Sequence, residues 1–518
     1  MVHLLARRQH RKRINDAVTA NDLRSEVLPT FLFVIKHICL LAIVEQTGLV
    51  RLKESEYVRR DAMDSAVLAE VLASVVGHED KELCKAALLA ITTSLETCSF
   101  LLGSLSKACN LPYILNIFAE LMHLIHEPAW FTKLGGCTAM KYFLDRLPEE
   151  WLLRQFSTMI DALIFAFADL QGQVSNGCLE MLQTCLNLLV QLACGTLIQN
   201  RPSAITFSGL STSASLANLV SAVNQTDTVN LQRLDTSSGP PSTIGHDQTR
   251  TGVVGPTTAL AGGGSGSSIC VTEDSVLLDK ERNIALSRLC HSLIGQLVSS
   301  SEFMRETCKE TFEQIAKLLS KPLAEILFDK KDRIASVLAL SERKPLYHYS
   351  ISCQLGYLQA FTFVYSLDPP LFIFEAEKPE EKRFIEELLI LADPTETLPT
   401  QKVSYKDLTA AEVTNLRIHV IRALTVCYHA KVYNQNSFTV LYKCLTSSEK
   451  DLQEEAHTCL SKFLSKVQIG TGLITDAMRP LLLLLSDFKS LNLERSILRT
   501  TAFVVEKMDG SSRVCARN

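Results

Sequence analysis

Residues 130–177 read WFTKLGGCTAMKYFLDRLPEEWLLRQFSTMIDALIFAFADLQGQVSNG, and this stretch decides the fold. A predicted helix over 137–147 carries its apolar residues on one face: Met140, Phe143, Leu144 and Leu147. Pro148 suits the first position of a second helix, because its missing N–H has no partner to lose there. Glu149 adds negative charge to that first turn, where it complements the helix dipole. We therefore interpret the corner as architectural rather than catalytic.

The second helix is predicted to run to about Asp169, and a third follows Asn176 and Gly177 and ends near Cys194. Elsewhere, a large, a small and a large apolar residue recur at i, i+4 and i+8. Four stretches show this pattern: Leu83, Ala87 and Ile91; Val174, Cys178 and Leu182; Met304, Cys308 and Phe312; Leu452, Ala456 and Leu460. Such residues share one helix face, and the small middle residue lets a neighbouring helix come close.

The pattern is typical of HEAT-type helix pairs, with a repeat of about 40 to 47 residues. One pair cannot bury its apolar face alone, so pairs stack. Strand-like alternation is nearly absent. The predicted fold is all-α, an α-solenoid of HEAT-like helix pairs.

A polar segment interrupts the helical pattern at residues 201–272. It is rich in Ser, Thr, Gly, Asn and Pro and poor in large apolar side chains. Too little surface can be buried there to offset the entropy of ordering the chain, so we predict a disordered linker. The predicted organisation is a helical array over 1–200, the linker over 201–272, and a second helical array over 273–518.

The composition argues against nucleic-acid and membrane functions. The net charge is -4 over 518 residues, so no domain-wide basic surface is present. One basic cluster extends from Arg7 to Arg13 and is interpreted as solvated chain, with a localisation signal or a contact to an acidic partner as alternatives. The apolar run 27–44 contains Pro29, Lys36 and His37, which favour a core helix over a membrane span.

The 16 cysteines include no CxxC pair, and many lie in helical patterns among apolar neighbours. Free cysteine packs as a small hydrophobe. This usage is typical of a reducing compartment, the cytosol or the nucleus.

Motifs for catalysis, cofactors and metals fail on inspection. His126-Glu127 begins a zinc-protease motif, but Trp130 stands where the second histidine is needed. Gly262–Gly266 lacks the strand and the Lys that a phosphate-binding loop requires. Asp487-Phe488 is followed by Lys489, not by the glycine of the kinase metal-binding triplet. We predict no catalytic residue, no cofactor-binding residue and no metal ligand, and we do not expect an enzyme.

Several segments resemble the HEAT-repeat region of the transformation/transcription domain-associated protein family. They are AWFTKLGG (129–136), DRLPEEW (145–151), DLQGQVSNG (169–177), CQLGYLQAFTFVYSLDPPLF (353–372), LRIHVIRALTVCYHA (416–430), DLQEEAHTCLSKFL (451–464) and MRPLLLLLSDFKSLNL (478–493). They occur in family order. The first 70 or so residues match least well.

The resemblance implies a non-catalytic scaffold subunit of nuclear histone acetyltransferase complexes of the SAGA and NuA4/TIP60 kinds. Its implied partners are transcriptional activators and other subunits of those complexes. Family members are far longer and end in FAT and kinase-like domains, so we expect this chain to be a fragment. The alternatives are a generic HEAT-repeat adaptor and the HEAT portion of an active phosphatidylinositol 3-kinase-related protein kinase.

Overall fold

The computed structural model describes residues 28–47, 65–170, 177–199, 273–339, 344–396, 408–445 and 447–467, together with residues 398, 405 and 502. Within those ranges the chain forms seventeen α-helices and short 3-10 turns, without strands. The prediction of an all-α solenoid is confirmed. The predicted linker 201–272, the basic cluster and Asp487-Phe488 lie outside the described residues.

Eight helices precede residue 200. They are α1 (Leu28–Thr47), α2 (Ser65–Val76), α3 (Lys81–Leu102), α4 (Leu105–Cys109), α5 (Pro112–His123), α6 (Trp130–Arg146), α7 (Glu149–Leu170) and α8 (Cys178–Ala193).

Nine helices follow residue 272. They are α9 (Glu273–Gln296), α10 (Glu302–Leu319), α11 (Leu323–Ile326), α12 (Lys331–Leu338), α13 (Ile351–Tyr365), α14 (Pro379–Ala392), α15 (Ala410–Val426), α16 (Asn434–Leu445) and α17 (Lys450–Lys466).

The helices stack in two layers. In the first layer, α6 packs on α8, α8 on α10, α10 on α13, α13 on α15, and α15 on α17. In the second layer, α7 packs on α9, α9 on α12, and α14 on α16. Successive first-layer helices do not begin at one fixed spacing: α15 and α17 begin 40 residues apart, whereas α13 and α15 begin 59 apart. Longer connections on either side of α14 account for the excess over the expected period.

The apolar rows found in the sequence face the core. Every row member that the structure describes is at most 1 % exposed, except Leu83, which is partly buried against the core: Ala87, Ile91, Cys178, Leu182, Met304, Cys308, Phe312, Leu452, Ala456 and Leu460. Val174 lies outside the described residues. Three of the four rows lie on first-layer helices, α8, α10 and α17.

The fourteen described cysteines are free thiols, and most are buried. Cys308 is typical, at the centre of its row on α10. Burial raises the pKa of its thiol to about 12, so this side chain is neutral at physiological pH and packs as an apolar group.

The corner at Pro148 joins α6 to α7 as the sequence indicates. All four inward residues predicted for 137–147 are buried. The carbonyl oxygen of Pro148 accepts hydrogen bonds from the N–H groups of Trp151 and Leu152, both at 3.1 Å. Helix α7 begins at Glu149, so Pro148 immediately precedes the helix instead of occupying its first position.

Helix α6 begins at Trp130, earlier than the predicted start at 137, because Gly135 and Gly136 lie inside the helix as packing residues. A Cβ atom built on Gly135 would lie 2.3 Å from the carbonyl oxygen of Val76. A Cβ on Gly136 would lie 2.6 Å from Cγ1 of Ile125. The glycine pair thus lets α6 touch the end of α2 on one side and the turn after α5 on the other.

Lys133, in the same segment, is a fully buried cation. Its ammonium group lies 2.9 Å from Oδ2 of Asp169 on α7 and donates to the carbonyl oxygens of Ile125 and Glu127. It also lies 5.5 Å from the centre of the Phe165 ring. A buried charge is tolerated only when it is paired and hydrogen-bonded, so Lys133 fixes α6 to α7 and to the turn Leu124–His126.

The stack continues from α7 and α8 to the helices that follow residue 272. Nε of Arg282 on α9 lies 2.7 Å from Oε1 of Glu149 at the start of α7. Arg288, further along α9, pairs with Asp161 on α7 at 2.7 Å. Helix α9 also contacts α8. The first helix after residue 272 therefore packs directly on the last two helices before residue 200.

Two described segments, Leu83–Leu102 and Glu149–Leu170, are long and apolar enough to span a membrane by length and composition. About half of each is buried inside the stack, 44 % and 56 %, as expected of core helices. The apolar run near the N-terminus forms α1, which packs on α3 with Ile35 and Cys39 fully buried.

Leu460→Asp tests the phase of α17. Leu460 is fully buried, so an unpaired carboxylate there should lower the free energy of unfolding by at least about 4 kcal/mol. Thr458→Asp, on the exposed side of the same helix, should change it by less than about 1 kcal/mol. Urea unfolding followed by circular dichroism measures both. Equal effects would show that the helix is phased incorrectly.

Gly135→Ala tests the close approach of α6 to α2. The new methyl would overlap a backbone oxygen that cannot move without shifting α2, so we expect a loss of about 2 kcal/mol or more. Gly295→Ala is the matched control. Its Cβ would lie 3.4 Å from Nη2 of Arg333, an ordinary contact with the end of a flexible side chain, and we expect it to be neutral or to stabilise α9 by about 0.5 kcal/mol. A neutral Gly135→Ala in thermal unfolding would contradict the packing described here.

Candidate functional site: a polar groove on the first layer

A polar groove with a volume of about 730 Å³ crosses four first-layer helices, α10, α13, α15 and α17. Its size falls within the range of protein ligand sites, although its lining is more polar than most. We call it the layer groove. One edge consists of Glu302 and Glu306, the other of Asp451 and Glu454, and the floor includes Gln359 and His419.

A chain of buried polar side chains supports the floor. Arg305, only 2 % exposed, donates from Nε to Oε1 of Gln359 at 2.8 Å and from Nη1 to the carbonyl oxygen of Ser299 at 2.7 Å. The amide nitrogen of Gln359 lies 3.2 Å from Nε2 of His419. Three neighbouring helices, α10, α13 and α15, are therefore joined through one side-chain amide.

The geometry of this chain fixes His419 as neutral. Oε1 of Gln359 already accepts from Arg305, so its amide N–H must donate to His419, whose Nε2 can accept only when unprotonated. Burial, with Arg422, Lys309 and Arg305 nearby, lowers the pKa of His419 to about 4. Protonation would add a charge beside three cations and break the hydrogen bond to Gln359.

Arg422 and Glu455 form a two-pronged ion pair between α15 and α17. The Nε–Oε1 distance is 2.9 Å and the Nη2–Oε2 distance is 2.7 Å. This geometry is the strong form of an arginine–carboxylate pair. The pair raises the pKa of Arg422 and lowers that of Glu455, so both stay charged and hold the two helices together.

The carboxylates at the groove edges have no such partners. Glu302, Glu306, Asp451 and Glu454 are exposed, and none forms an ion pair with a residue that the structure describes. Lys309 lies in the groove half-buried; burial is the main cause of its lowered pKa, with Arg305 and Arg422 also contributing. The groove thus has two acidic edges and an interior where most cations are already engaged.

The sequence predicts no metal ligand, because its residues lack the spacing of known metal motifs. Within the described residues, no group of three or more His, Cys, Asp or Glu is suited to a metal ion. Two histidines outside the groove have other partners. Nδ1 of His78 accepts from the N–H of Asp80 at 2.9 Å, and the ring of His126 packs on Phe165 at 4.7 Å.

Sequence reasoning missed the groove. The charged run SSEKDLQEE (447–455) is typical of helix-surface or helix-start charge, and His419 of a polar-face or satisfied helix residue. The sequence did not show that these residues meet Glu302 and Glu306, which lie on another helix more than a hundred residues away. The sequence carried one clue to the groove: a polar residue within each of three largely apolar helix patterns, Arg305, Gln359 and His419, all of which the structure buries.

Three segments that resemble the family in sequence meet in this groove: 353–372, 416–430 and 451–464. A family model described as the Tra1 HEAT repeat ring region matches residues 12–498. The chain belongs to the Tra1 HEAT repeat ring family.

Relatives of this Tra1-family chain are transcription proteins by name. The human transformation/transcription domain-associated protein is 26 % identical over 485 residues, covering 91 % of this chain and 11 % of the relative. Transcription-associated protein 1 of Drosophila melanogaster is 24 % identical over 479 residues, covering 92 % and 11 %.

A third relative, from Schizosaccharomyces pombe, is named as a SAGA complex/NuA4 acetyltransferase complex subunit, Tra1, and is 25 % identical over 237 residues, covering 44 % of this chain and 6 % of the relative. The Tra1-family chain spans about a tenth of the length of the first two relatives, 11 % in each case. The solved structure of an engineered protein aligns with 91 % of this chain and 98 % of its own length, at 14 % identity and a TM-score of 0.26.

The buried His419 predicts a pH dependence of stability. An unfolded histidine titrates near about 6.5, so the unfolded chain binds a proton before the folded one does. Stability is therefore full above that pH and falls as the pH drops towards 4. Between pH 7 and pH 4.5, the wild type should lose about 2 kcal/mol more unfolding free energy than His419→Gln.

Urea unfolding at the two pH values measures this difference. His123→Gln, at an exposed position on α5, is the control and should keep the wild-type dependence. Identical pH profiles for wild type and His419→Gln would show that His419 is not buried in its neutral form.

Proposed function

We propose that this chain is a non-catalytic scaffold segment of a nuclear histone acetyltransferase complex, and that its stacked helices contact complex subunits and transcriptional activators. One observation carries the proposal: the Tra1 HEAT repeat ring model matches residues 12–498, nearly the whole chain. The Schizosaccharomyces pombe relative, named as a subunit of SAGA and NuA4 complexes, indicates the kind of assembly.

The physical features of the stack support a role in contact. A solenoid presents an extended surface because each helix pair touches only its neighbours. Several weak sites on one rigid surface hold a flexible partner more firmly than any one of them. In the first layer, the layer groove offers unpaired charges and a polar floor on such a surface. The match to one family over this length favours this function over a generic HEAT adaptor.

Affinity purification of the tagged endogenous protein from nuclear extract tests the proposal. We expect histone acetyltransferase subunits among the co-purifying proteins, identified by mass spectrometry, and acetylation of added histones by the eluate. Untagged cells processed in parallel provide the control. A folded, abundant product that brings down no acetyltransferase subunit, or that is excluded from the nucleus, would contradict the proposal.

A further inference from the structure

We propose that the layer groove binds a Lys/Arg-rich segment of a partner protein, with cations of that segment pairing with the carboxylates on both edges. This inference rests on the proposed scaffold function and names the chemistry of one partner. Glu302 and Glu306 form one edge and Asp451 and Glu454 the other, each pair within about one helical turn on its helix.

The helix dipole accounts for the positions of only two of these four carboxylates. Glu302 and Asp451 lie in the first turns of α10 and α17, where negative charge complements the helix dipole. Glu306 and Glu454 lie further along, where the dipole contributes little. Within the described residues neither has an ion-pair partner. Four exposed carboxylates around one concave surface reinforce one another, because a groove with low-dielectric walls focuses the field.

The interior of the groove only partly neutralises these edges. Arg422 is engaged by Glu455, Arg305 is turned towards Gln359 and the carbonyl of Ser299, and His419 is neutral. Like Arg305, Lys309 forms no ion pair with a carboxylate among the described residues; it lies half-buried within electrostatic reach of Glu306 and Glu302. The three central cations outnumber Glu455 by two charges, and the four edge carboxylates outnumber those two, so the groove as a whole presents negative charge to a partner.

An independent observation concerns the floor. The hydroxyl oxygen of Thr362, which lines the groove, is buried and has no hydrogen-bond partner among the described residues. Phe363 and Ile418 lie in the same lining. Phe363 and Ile418, each partly exposed between the two acidic edges, suit a peptide that lays uncharged residues across the floor and cations over the edges.

The chemistry excludes two other classes of ligand. A metal ion needs several ligands close together, and the described residues include no such group of His, Cys, Asp or Glu. Nucleic acid would bring phosphates against the acidic edges, where like charges repel. A cationic protein segment satisfies both edges at once.

Fluorescence anisotropy with the full chain and two labelled peptides tests the inference. The basic probe is three repeats of Lys-Ala-Ala-Lys, and the acidic probe is three repeats of Glu-Ala-Ala-Glu. We expect the basic probe to bind and to weaken as salt rises, since exposed charges are screened. Tighter binding of the acidic probe, with loss of that binding in Lys309→Gln, would overturn the inference.

Charge reversal locates the contact. Glu302→Lys with Glu306→Lys, and separately Asp451→Lys with Glu454→Lys, should each weaken the basic probe at least about tenfold. Glu310→Lys with Glu313→Lys is the matched control on α10, at exposed positions outside the groove, and should weaken it by less than about threefold. Equal losses in groove and control variants would show general surface attraction and overturn the inference.

Two further arms keep the result interpretable. Glu302→Gln with Glu306→Gln, a milder change at exposed positions, should weaken the basic probe about threefold and guards against misfolding of the reversal variant. Deletion of residues 1–27 should leave affinity unchanged. Tighter binding after the deletion would show that the basic cluster Arg7–Arg13 of the chain itself occupies the groove, and would overturn the assignment to a partner.

The peptide measurements are independent of complex assembly. If the basic probe binds at the groove but no acetyltransferase subunit co-purifies, the proposed function fails and the site stands. If the subunits co-purify but the groove variants bind the probe as the wild type does, the site fails and the function stands.

Discussion

The structure depends on one constraint, that each helix pair must bury its apolar face against the next pair. The rows built around Cys178, Cys308 and Ala456 meet this constraint in the same way. In each row a small residue stands between two larger ones in the sequence, and every described member is buried. The stack exists because these rows repeat along the chain, and no single central core would replace them.

Buried polar side chains give the stack its specific neighbours. An apolar row can pack on many other rows, but Lys133 has a full set of partners only when Asp169 and the carbonyls of Ile125 and Glu127 converge on it. The same holds for Gln359, which needs Arg305 on one side and His419 on the other. Leaving such groups unpaired costs several kcal/mol, so they disfavour stacking in any other order or register.

The layer groove results from the order in which the helices stack, and it provides a surface to which a partner can bind. Helices that must stand side by side bring their polar faces together on one surface of the layer. Charges that each helix needs for solubility or for its first turn then add into a field with acidic edges. A scaffold built in this way carries binding sites without a dedicated loop or pocket, which fits a family whose relatives are named for transcription and not for a reaction.

The sequence by itself determined the helices, their buried faces and the family. The row Met304, Cys308 and Phe312 and the corner at Pro148 were readable because helical periodicity and turn chemistry are local. It did not determine that α6 starts at Trp130, because a pair of glycines disfavours a helix. The close approaches of Gly135 to Val76 and of Gly136 to Ile125, which require glycine inside this helix, are visible only in the tertiary structure. The groove also required the tertiary structure, since contacts such as Arg305 with Gln359 join residues that are 54 positions apart. Local physics fixes which face of a helix is apolar, whereas the meeting of polar faces depends on which helices stack together.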